Sequence, residues 1–477
     1  MIEHQRGKGK LVEETPIAAP LQAVPNEGPA LVRVMGLGDS VSLIMGIMIG
    51  SGIFLMAGSI ALQLNSLAAV IAVWAFGGVL SICGAVSMSE LGALYPSAGG
   101  LYVYLTEAYG KCVGFVYGWS AMALIHAGSI ATLASAVGLY AAPMLGLTTV
   151  QRKLLQVACI ATFTIINCFR LGFGKWVQNA LTLAKLGGLA TMVVLLYSRG
   201  NHRLLQDAWM PAGASFRWLS FGVALTAVLW AFDGWHFVSF TAGEVKNPEK
   251  TLPRSLIIGA TLTFAIYILV NVAYYLVLPV ASIRGNNRIA ATAVEHAFGP
   301  GASNLIAVLI IVSILGAMNG IILGAPRVNW AMAKDGLFFR SFARVHPRFH
   351  TPVVATLAQG AWATAFTLIG SFQELFTSYV FTSWIFYGLC IAGVILLRRR
   401  NPEAVRPYRC PLYPWTPLFF LVATCGIVLS TFLANFRQAA IGVGLIALGI
   451  PLYFIFRAME SHRVAAERKV SAIPPSL

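Results

Sequence analysis

Charged side chains are scarce in this sequence. Only 10% of the 477 residues are Asp, Glu, Lys or Arg, whereas 58% are hydrophobic, and the mean hydropathy is +0.76. A soluble domain carries about 25% charged residues, so this chain cannot cover a water-facing surface of ordinary size. The composition therefore excludes an ordinary soluble protein and predicts an integral membrane protein.

Clusters of chemically reactive residues are also missing. The seven cysteines form no CxxC pair or Cys/His group, so no metal, cofactor or external disulfide is expected. The sequence offers no converging nucleophile and acid–base set and no channel filter motif. An enzyme or a channel is therefore not predicted.

Long apolar runs, by contrast, recur along the chain. Each has about the 20 residues that a helix needs to cross a bilayer. Before them, residues 1–35 lack the apolar core of a signal peptide; we interpret them as a disordered cytoplasmic tail, and residues 458–477 as a similar one. The twelve predicted spans are 36–62, 67–94, 109–142, 151–169, 175–198, 219–242, 254–279, 302–333, 353–370, 374–397, 415–435 and 438–457.

The net charge of +16 is distributed unevenly between the loops. If the N-terminus is cytoplasmic, roughly three quarters of the lysines and arginines lie on the inner side, as the positive-inside rule requires. The basic residues therefore indicate topology in the cell membrane, with both termini cytoplasmic, and nucleic acid is not expected as a partner. The run Arg398–Arg400 is interpreted as an anchor to anionic lipid.

Two of the predicted spans carry helix-breaking residues near their middle. The first contains GIMIGSGIFL, residues 46–55, and the sixth contains WAFDGWHF, residues 230–237. Five crossings separate the two spans, so they start on opposite sides of the membrane. This arrangement is typical of an inverted-repeat transporter with discontinuous helices. It predicts one repeat over 36–198, a second over 219–397 and two additional helices over 415–457.

A broken helix leaves backbone N–H and C=O groups unpaired, which hydrocarbon cannot satisfy. A substrate with one carboxylate and one ammonium can satisfy both kinds of group, because the N-terminal end of a half-helix attracts anions. The other interpretation is that the glycines only permit close helix packing. The matching break at Asp233–Gly234 favours the binding interpretation.

Four motifs in order resemble the amino acid–polyamine–organocation superfamily, and within it the L-type amino acid transporter (LAT) branch. They are GIMIGSGIF, SELGALYPSAGGLYVYLTEAYG, LWAFDGWHFVSFTAGEVKNPEKTLPRS and FYGLCIAGVILLRRRNPEAVRPYRCPLYP. The resemblance implies an all-α membrane protein of the LeuT type, with twelve helices, a 5+5 inverted repeat and discontinuous helices 1 and 6. It further implies sodium-independent amino acid transport, usually by exchange, through alternating access.

The resemblance also assigns expected contacts to the substrate. The carboxylate is expected to meet the backbone N–H groups of Ser51, Gly52 and Ile53. The ammonium is expected to meet carbonyls near Met48 and at Trp230, Ala231 and Asp233. Trp230 is the expected aromatic gate, while Phe232 and Trp235 are expected to pack around the break.

Lys185 is the one lysine deep within a predicted span, where an ammonium needs a function or a partner. In LAT-like transporters such a lysine stands where sodium-coupled relatives bind a cation, and it would join helix 5 to helices 1 and 8. Asn319 of helix 8 is expected to support this region. The alternative is that Lys185 extends to the interface.

The Asp233 side chain has two interpretations. It could bind the substrate ammonium or a cationic substrate, or it could cap a half-helix that begins at Gly234. Ser129 and His126 on helix 3 are candidate pocket residues, although a lone histidine is more often structural. Substrates are expected to be neutral L-amino acids, with cationic ones as an alternative.

Three carboxylates near inner helix ends predict a gate or charge network, with a solvated surface as the alternative. The network would join Glu90, Glu107 and Glu244 to Arg254, Arg327 and Lys334. Animal LAT chains carry a cysteine between helices 3 and 4 for a disulfide-linked heavy chain, but this loop reads AAPMLGLTTVQR. The sequence therefore resembles the stand-alone microbial members, and a heavy chain is not expected. Proton-coupled symport is the alternative to exchange.

Overall fold

Helices formed by the predicted apolar runs build nearly all of the structure, a computed structural model that describes residues 31–169, 171–211, 216–369 and 372–471. Within these ranges, eight helices are long and apolar enough to cross a membrane, and a bent helix pair adds a ninth crossing. Two shorter apolar helices and one more polar helix complete twelve spans. The predicted all-α, twelve-helix fold is confirmed.

We number the spans in chain order. Short helices outside them are Leu101–Tyr109, His202–Trp209, Val280–Ile283, Ile289–Phe298 and the 3₁₀ helix Arg340–Ala343. The spans are Leu37–Met48 with Gly52–Gln63 (span 1), Leu67–Leu94 (2), Lys111–Leu145 (3), Thr149–Cys168 (4), Leu171–Ser198 (5), Trp218–Ala231 with the 3₁₀ helix Phe237–Glu244 (6), Pro248–Val277 (7), Ala302–Gly324 with its continuation Pro326–Lys334 (8), Val353–Ile369 (9), Phe372–Arg400 (10), Trp415–Ala434 (11) and Phe436–Ser471 (12).

Local sequence signals set several helix starts. Span 2 begins after Ser66, whose hydroxyl accepts a hydrogen bond from the N–H of Ala69. Span 4 begins with a capping box in which Thr148 and Gln151 bind each other's backbone N–H. Span 7 begins with Pro248 in its first turn, where the missing N–H removes no helical hydrogen bond. At these three sites the local sequence determines where the helix begins.

The contacts between spans follow a symmetry that relates each of the first five spans to the span five positions later in the chain. Spans 2 and 7, 3 and 8, and 4 and 9 pack directly against each other. Span 1 packs on span 7 as span 6 packs on span 2, and span 3 packs on span 10 as span 8 packs on span 5. This is the contact pattern of a 5+5 inverted repeat, and spans 11 and 12 lie outside it.

Burial separates the central spans from the peripheral ones. In the most apolar part of span 3, 83% of the residues are buried, against 28% in spans 5, 11 and 12. Span 3 is therefore surrounded by protein, whereas the outer spans expose apolar side chains as a lipid-facing helix does. The two broken spans contact both inner and outer helices, which places the breaks inside the bundle.

The chain ends differ from the expectation of two unstructured tails. Residues 1–30 and 472–477 lie outside the described residues. Met35 forms a parallel bridge with Val245, and the N–H groups of Val34 and Met35 both donate to the carbonyl of Glu244. Span 12 continues as a helix to Ser471, well past the predicted end of the last span, so that part of the C-terminal expectation is wrong.

Candidate functional site

Span 1 is broken at Ile49–Ser51, and its two halves are bent by 41°. The N–H of Gly50 donates to the carbonyl of Met48 rather than to a residue one helical turn earlier. The new helix begins at Gly52, so the N–H groups of Ser51, Gly52 and Ile53 have no acceptor within the helix. Among the described residues none of them has an acceptor elsewhere, and the buried Ser51 hydroxyl is unpaired as well.

Span 6 is broken over Phe232–His236, where Gly234 has φ +111°, a conformation that strongly favours glycine. A Cβ added to Gly234 would lie 2.5 Å from a methyl carbon of Ile47 and 3.3 Å from the nitrogen of Met48. A Cβ added to Gly52 would lie 2.6 Å from the Cα of Ala231. The two breaks therefore lie against each other, and glycine is what allows this approach.

Tyr267 of span 7 connects the two breaks through one hydroxyl. Its oxygen lies 2.6 Å from the carbonyl oxygen of Met48 and 2.9 Å from that of Ala231, and the two carbonyls share its single donor proton. Both carbonyls were predicted to face the substrate ammonium, but Tyr267 was not predicted. The Ala231 carbonyl oxygen has a second lone pair and keeps accepting capacity, whereas the Met48 carbonyl oxygen also accepts from the N–H of Gly50. Trp230, the expected gate, is buried at the end of the first half of span 6.

Lys185 is buried and uses all three of its hydrogen-bond donors. Its Nζ lies 2.7 Å from the carbonyl oxygen of Gly46, 2.8 Å from that of Ile49 and 2.7 Å from that of Ser313. The ammonium therefore joins span 5 to the break of span 1 and to span 8. It is not extended toward an interface.

Ser313 of span 8, which sequence reasoning missed, adds a second donor at the same place. Its hydroxyl lies 2.8 Å from the carbonyl of Ile49 and 3.2 Å from that of Gly50. Serines are common on membrane helices and usually donate to their own helix, so the sequence carried no signal for this contact. Together Lys185 and Ser313 satisfy carbonyls that the break leaves free.

A chain of amides lies beside this lysine rather than in contact with it. Asn319 donates to Gln178 and accepts from Asn167, each at 2.8 Å. A Cβ added to Gly46 would lie 2.1 Å from the Nε2 of Gln178. Asn319 thus supports the break through Gln178, which the sequence analysis did not single out.

Asp233 lies in the break of span 6, and its side chain is 10% exposed. Its carboxylate accepts a hydrogen bond from the hydroxyl of Tyr387 on span 10, at 2.8 Å. No helix begins at Gly234; the 3₁₀ helix begins at Phe237, after His236, which forms no side-chain cap. The capping interpretation of Asp233 is therefore wrong in its geometry, because the carboxylate points across to span 10.

A histidine and a serine of span 3 lie in the same region. His126 is buried against the rings of Phe237 and Phe240, and neither ring nitrogen has a partner among the described residues. It follows a π-helical turn over Ala121–Ile125, a distortion that often marks functional sites. Ser129 is buried one turn before Leu133, whose side chain lies beside Gly50.

The carboxylates near the predicted inner side form two ion-pair groups. Glu244 pairs with Arg327, as expected, through bonds of 2.9 and 3.0 Å. Glu90 pairs instead with Arg398, at 2.5 Å, and Arg406, at 3.2 Å, so its expected partners are wrong. Arg398, which was expected to anchor the chain to lipid, therefore pairs with a buried carboxylate.

The remaining members of the expected network do not pair as predicted. The ammonium of Lys334 lies over the ring of Trp330. Glu107 lies near Asp335, and burial together with this second carboxylate raises the pKa of Glu107. Glu107 is thus beside an acidic group, which is the reverse of the expected environment.

Replacing Arg327 with methionine is expected to destabilise the protein strongly. Arg327 and Glu244 are 1% and 0% exposed, and removing one member of a buried pair costs about 3–5 kcal/mol because the other charge stays unpaired. The thermal unfolding midpoint of purified protein in detergent measures this change.

The double variant Glu244→Gln with Arg327→Met should recover much of the lost stability, since no charge then stays buried alone. The pair of Arg463 and Glu460, whose side chains are 31% and 27% exposed, offers a matched control, because solvent-accessible pairs contribute about 0–1 kcal/mol. An unfolding midpoint for Arg327→Met equal to that of Arg463→Met would contradict the expected importance of the buried pair.

Comparison with known proteins identifies a family and several similar transporters. The model of the amino acid permease family matches residues 36–456. The chain is 32% identical to the serine/threonine exchanger SteT of Bacillus subtilis over 432 residues, 90% of this chain and 98% of that protein. It is 30% identical to the human b(0,+)-type amino acid transporter 1 over 444 residues, 91% and 90% of the two chains. It is 27% identical to the human cystine/glutamate transporter over 433 residues, 89% and 85%.

Proposed function

Since this chain belongs to the amino acid permease family, we propose that it is a sodium-independent exchanger of neutral L-amino acids that works by alternating access. The α-carboxylate binds the N–H groups of Ser51, Gly52 and Ile53. The α-ammonium binds carbonyls near Met48 and at Trp230, Ala231 and Asp233, beneath the ring of Trp230.

One observation carries this proposal: the unpaired N–H groups that begin the second half of span 1 lie directly against the end of the first half of span 6. The start of a helix favours an anion by about 0.3–1 kcal/mol even before hydrogen bonds are counted. Gly52 touches Ala231, so the carboxylate donors and the carbonyls at the end of the first half of span 6 are only a few ångströms apart. That spacing suits the two charged groups on one α-carbon.

Sodium independence rests on Lys185. Its ammonium already binds three carbonyls that converge between spans 1, 5 and 8. A backbone-carbonyl cluster of this kind at a discontinuous helix is where coupled transporters hold a cation. A tethered positive charge there supplies the same stabilisation permanently, and it leaves no place for sodium.

The serine/threonine exchange of the SteT protein supports exchange as the mode of transport and small neutral side chains as the cargo. Proton-coupled symport is the second candidate, because Lys185 and Asp233 are ionisable groups inside the bundle. Exchange predicts that amino acid on the far side of the membrane is needed for turnover. Symport predicts uptake into empty vesicles.

Counterflow in proteoliposomes separates the two. Vesicles preloaded with unlabelled serine should take up labelled serine at least about tenfold faster than empty vesicles, and replacing sodium with potassium should not change the rate. Vesicles without protein provide the control. Equal uptake into empty vesicles under an inward proton gradient would favour symport and contradict exchange.

The proposed setting is the cell membrane, with both termini cytoplasmic and anionic lipid near the basic inner loops. The loop between spans 3 and 4, at Gly146–Thr148, contains no cysteine, which supports function without a disulfide-linked heavy chain. The counterflow assay uses the purified chain alone and so tests this point as well.

A further inference from the structure

A cleft lies on the proposed cytoplasmic side of the protein, where span 12 passes the end of span 8 and the start of span 3. Its volume is about 870 Å³, within the range of about 300–1,000 Å³ that is usual for small-molecule sites. Its walls combine Leu337 and Tyr453 with charged side chains of both signs. The breaks of spans 1 and 6 contribute no residue to this lining, so the cleft is separate from the proposed substrate site.

The position of the cleft along span 12 matches the edge of the membrane. Lys111 is the first residue of span 3, and Arg457 is the last residue of the apolar run predicted for span 12. One and two turns before Arg457, on the same face of the helix, span 12 exposes Phe454 and Ile450, at 57% and 47%. Lipid headgroups therefore reach the cleft, and acyl chains reach the apolar face next to it.

Two basic side chains of the cleft are available to a ligand. Lys111 and Arg457 are exposed, and neither forms an ion pair or a hydrogen bond with another of the described residues. A single exposed basic side chain is ordinary on a protein surface. Two of them in one concave cleft at the level of the headgroups form a site for a phosphate, which accepts charge-assisted hydrogen bonds from both.

The same cleft holds two carboxylates, and the protein fixes the position of each. Asp335 accepts a hydrogen bond from the hydroxyl of Tyr102, at 2.7 Å. Glu460 pairs with Arg463, and a Cβ added to Gly336 would lie 2.7 Å from its Cδ. An ionised carboxylate has about four acceptor positions, so both groups can accept from a further donor. With the two basic side chains, the lining is neutral overall.

We propose that this cleft binds the headgroup of a phospholipid that carries a phosphate and a primary ammonium, as phosphatidylethanolamine does. The phosphate lies between Lys111 and Arg457, and the ammonium donates hydrogen bonds to Asp335 and Glu460. The acyl chains extend along the apolar face of span 12. This lipid joins the ends of spans 3, 8 and 12 at the inner membrane surface, which gives the cytoplasmic continuation of span 12 a role. The proposal goes beyond amino acid exchange and does not depend on it.

Two other lipids fit the charge pattern less well. Phosphatidylglycerol supplies the phosphate but no positive charge, so its anionic headgroup meets two carboxylates that nothing in the ligand balances. Phosphatidylcholine has the same net charge as phosphatidylethanolamine, but its quaternary ammonium has no N–H to donate. A comparison of the three lipids therefore separates recognition of the phosphate, of the positive charge and of the N–H donors.

Native mass spectrometry of the purified, delipidated protein in detergent measures the affinity for each dioleoyl lipid. We expect phosphatidylethanolamine to bind at least about tenfold more tightly than phosphatidylcholine or phosphatidylglycerol, since a hydrogen bond to a charged group is sufficient for this factor. Equal affinity for phosphatidylethanolamine and phosphatidylcholine would overturn the ammonium contact. Tighter binding of phosphatidylglycerol than of phosphatidylethanolamine would show a simple anion site and overturn the proposal.

Two substitutions separate the ends of the headgroup. Arg457→Gln should weaken binding of phosphatidylethanolamine and phosphatidylcholine by about tenfold each, because both contain the phosphate. Asp335→Asn still accepts the hydrogen bond from Tyr102, and it should weaken phosphatidylethanolamine alone, to the level of phosphatidylcholine. Arg399→Gln is the matched control, since Arg399 is an exposed arginine in the last turn of span 10, outside the cleft. Selectivity that survives Asp335→Asn unchanged would contradict the proposal.

Thermal unfolding shows whether each variant is folded and gives an independent readout. Phosphatidylethanolamine should raise the unfolding midpoint of the wild type and of Arg399→Gln, because a ligand that binds only the folded state stabilises it. It should not raise that of Arg457→Gln, or of Lys111→Gln if the first variant does not fold. An equal rise in the cleft variant and the wild type would overturn the phosphate contact. Neither measurement involves transport, so failure of the lipid site and failure of the proposed exchange are distinguishable.

Discussion

Replacing Lys185 with methionine is expected to reduce amino acid exchange at least about 100-fold. The methionine side chain has a similar length but donates no hydrogen bond, so the carbonyls of Gly46, Ile49 and Ser313 lose their shared ammonium. A hydrogen bond to a charged group contributes about 1.5–3 kcal/mol, and about 1.4 kcal/mol corresponds to tenfold. Losing two of the three bonds is therefore sufficient for the expected effect.

Arginine is not expected to rescue this position. A Cβ added to Gly316 would lie 3.0 Å from both Cε and Nζ of Lys185, which shows how closely span 8 approaches the ammonium. A planar guanidinium is bulkier and cannot direct three donors to the same convergent carbonyls. Counterflow of labelled serine, normalised to the amount of protein in the vesicles, measures both variants.

Lys153 provides the matched control for this prediction. It also donates to a backbone carbonyl, that of Thr367 on span 9, but it lies near the start of span 4, away from the breaks. Lys153→Met is expected to keep exchange within about twofold, as substitutions outside the critical contacts usually do. Wild-type exchange by correctly folded Lys185→Met protein would contradict the proposed role of this lysine.

Replacing Gly52 with alanine is expected to reduce exchange about 10- to 100-fold. The added Cβ would lie 2.6 Å from the Cα and 2.7 Å from the Cβ of Ala231, so the two breaks would have to separate. Overpacking of this kind costs about 1–3 kcal/mol. The displacement also moves the N–H groups of Gly52 and Ile53, which are the proposed carboxylate donors.

Gly187 supplies the matched glycine. It lies within the helix of span 5, and a Cβ there would have no atom within 4 Å. Alanine is favoured over glycine inside a helix by about 1 kcal/mol, so Gly187→Ala should exchange serine at the wild-type rate and unfold at the same or a higher temperature. Equal exchange by the Gly52→Ala and Gly187→Ala proteins would show that contact between the breaks does not matter.

Several contacts lie at the start of span 1, which is its proposed cytoplasmic end. They hold the carrier closed on that side. Lys175 of span 5 pairs with Asp39 at 3.0 Å, and Asn179 donates to the same carboxylate at 2.7 Å. Met35 is bridged to Val245 at the end of span 6. These contacts tie the first half of span 1 to spans 5 and 6, so its movement requires that they break.

The sequence predicted the breaks because their cause is local. Gly50, Gly52 and Gly234 are poor helix formers at matching depths, and no tertiary information was needed to interpret them. Lys185 was equally visible, since an ammonium deep in an apolar span needs partners wherever the neighbouring spans lie. The twelve-helix fold followed from the same kind of reasoning, which depends on hydropathy and length.

Tyr267 and Ser313 were missed because their roles arise only after folding. Each residue lies on a buried helix, and its role depends on which backbone carbonyl of another span its hydroxyl contacts. The partner of Glu90 was mispredicted for a related reason. Several basic residues lie near the helix ends, and only packing brings Arg398 and Arg406 to this carboxylate.

Asp233 shows the limit of a propensity argument. Asp before Gly is a common helix start, which favoured a capping role. In the structure the chain makes a turn through His236, and the carboxylate crosses to Tyr387. An aspartate caps a helix only where a helix follows it directly. Because Gly234 has a φ of +111°, the next helix starts three residues later.

Competition by substrate analogues tests most directly whether the exposed backbone of the two breaks recognises the charged groups of an α-amino acid. Serine, its methyl ester, N-acetylserine and ethanolamine would each be added to vesicles exchanging labelled serine. Only unmodified serine should compete, with each analogue at least about 100-fold weaker, because each lacks a charge that the breaks bind. Competition by the ester or by ethanolamine at the concentration at which serine competes would contradict the account.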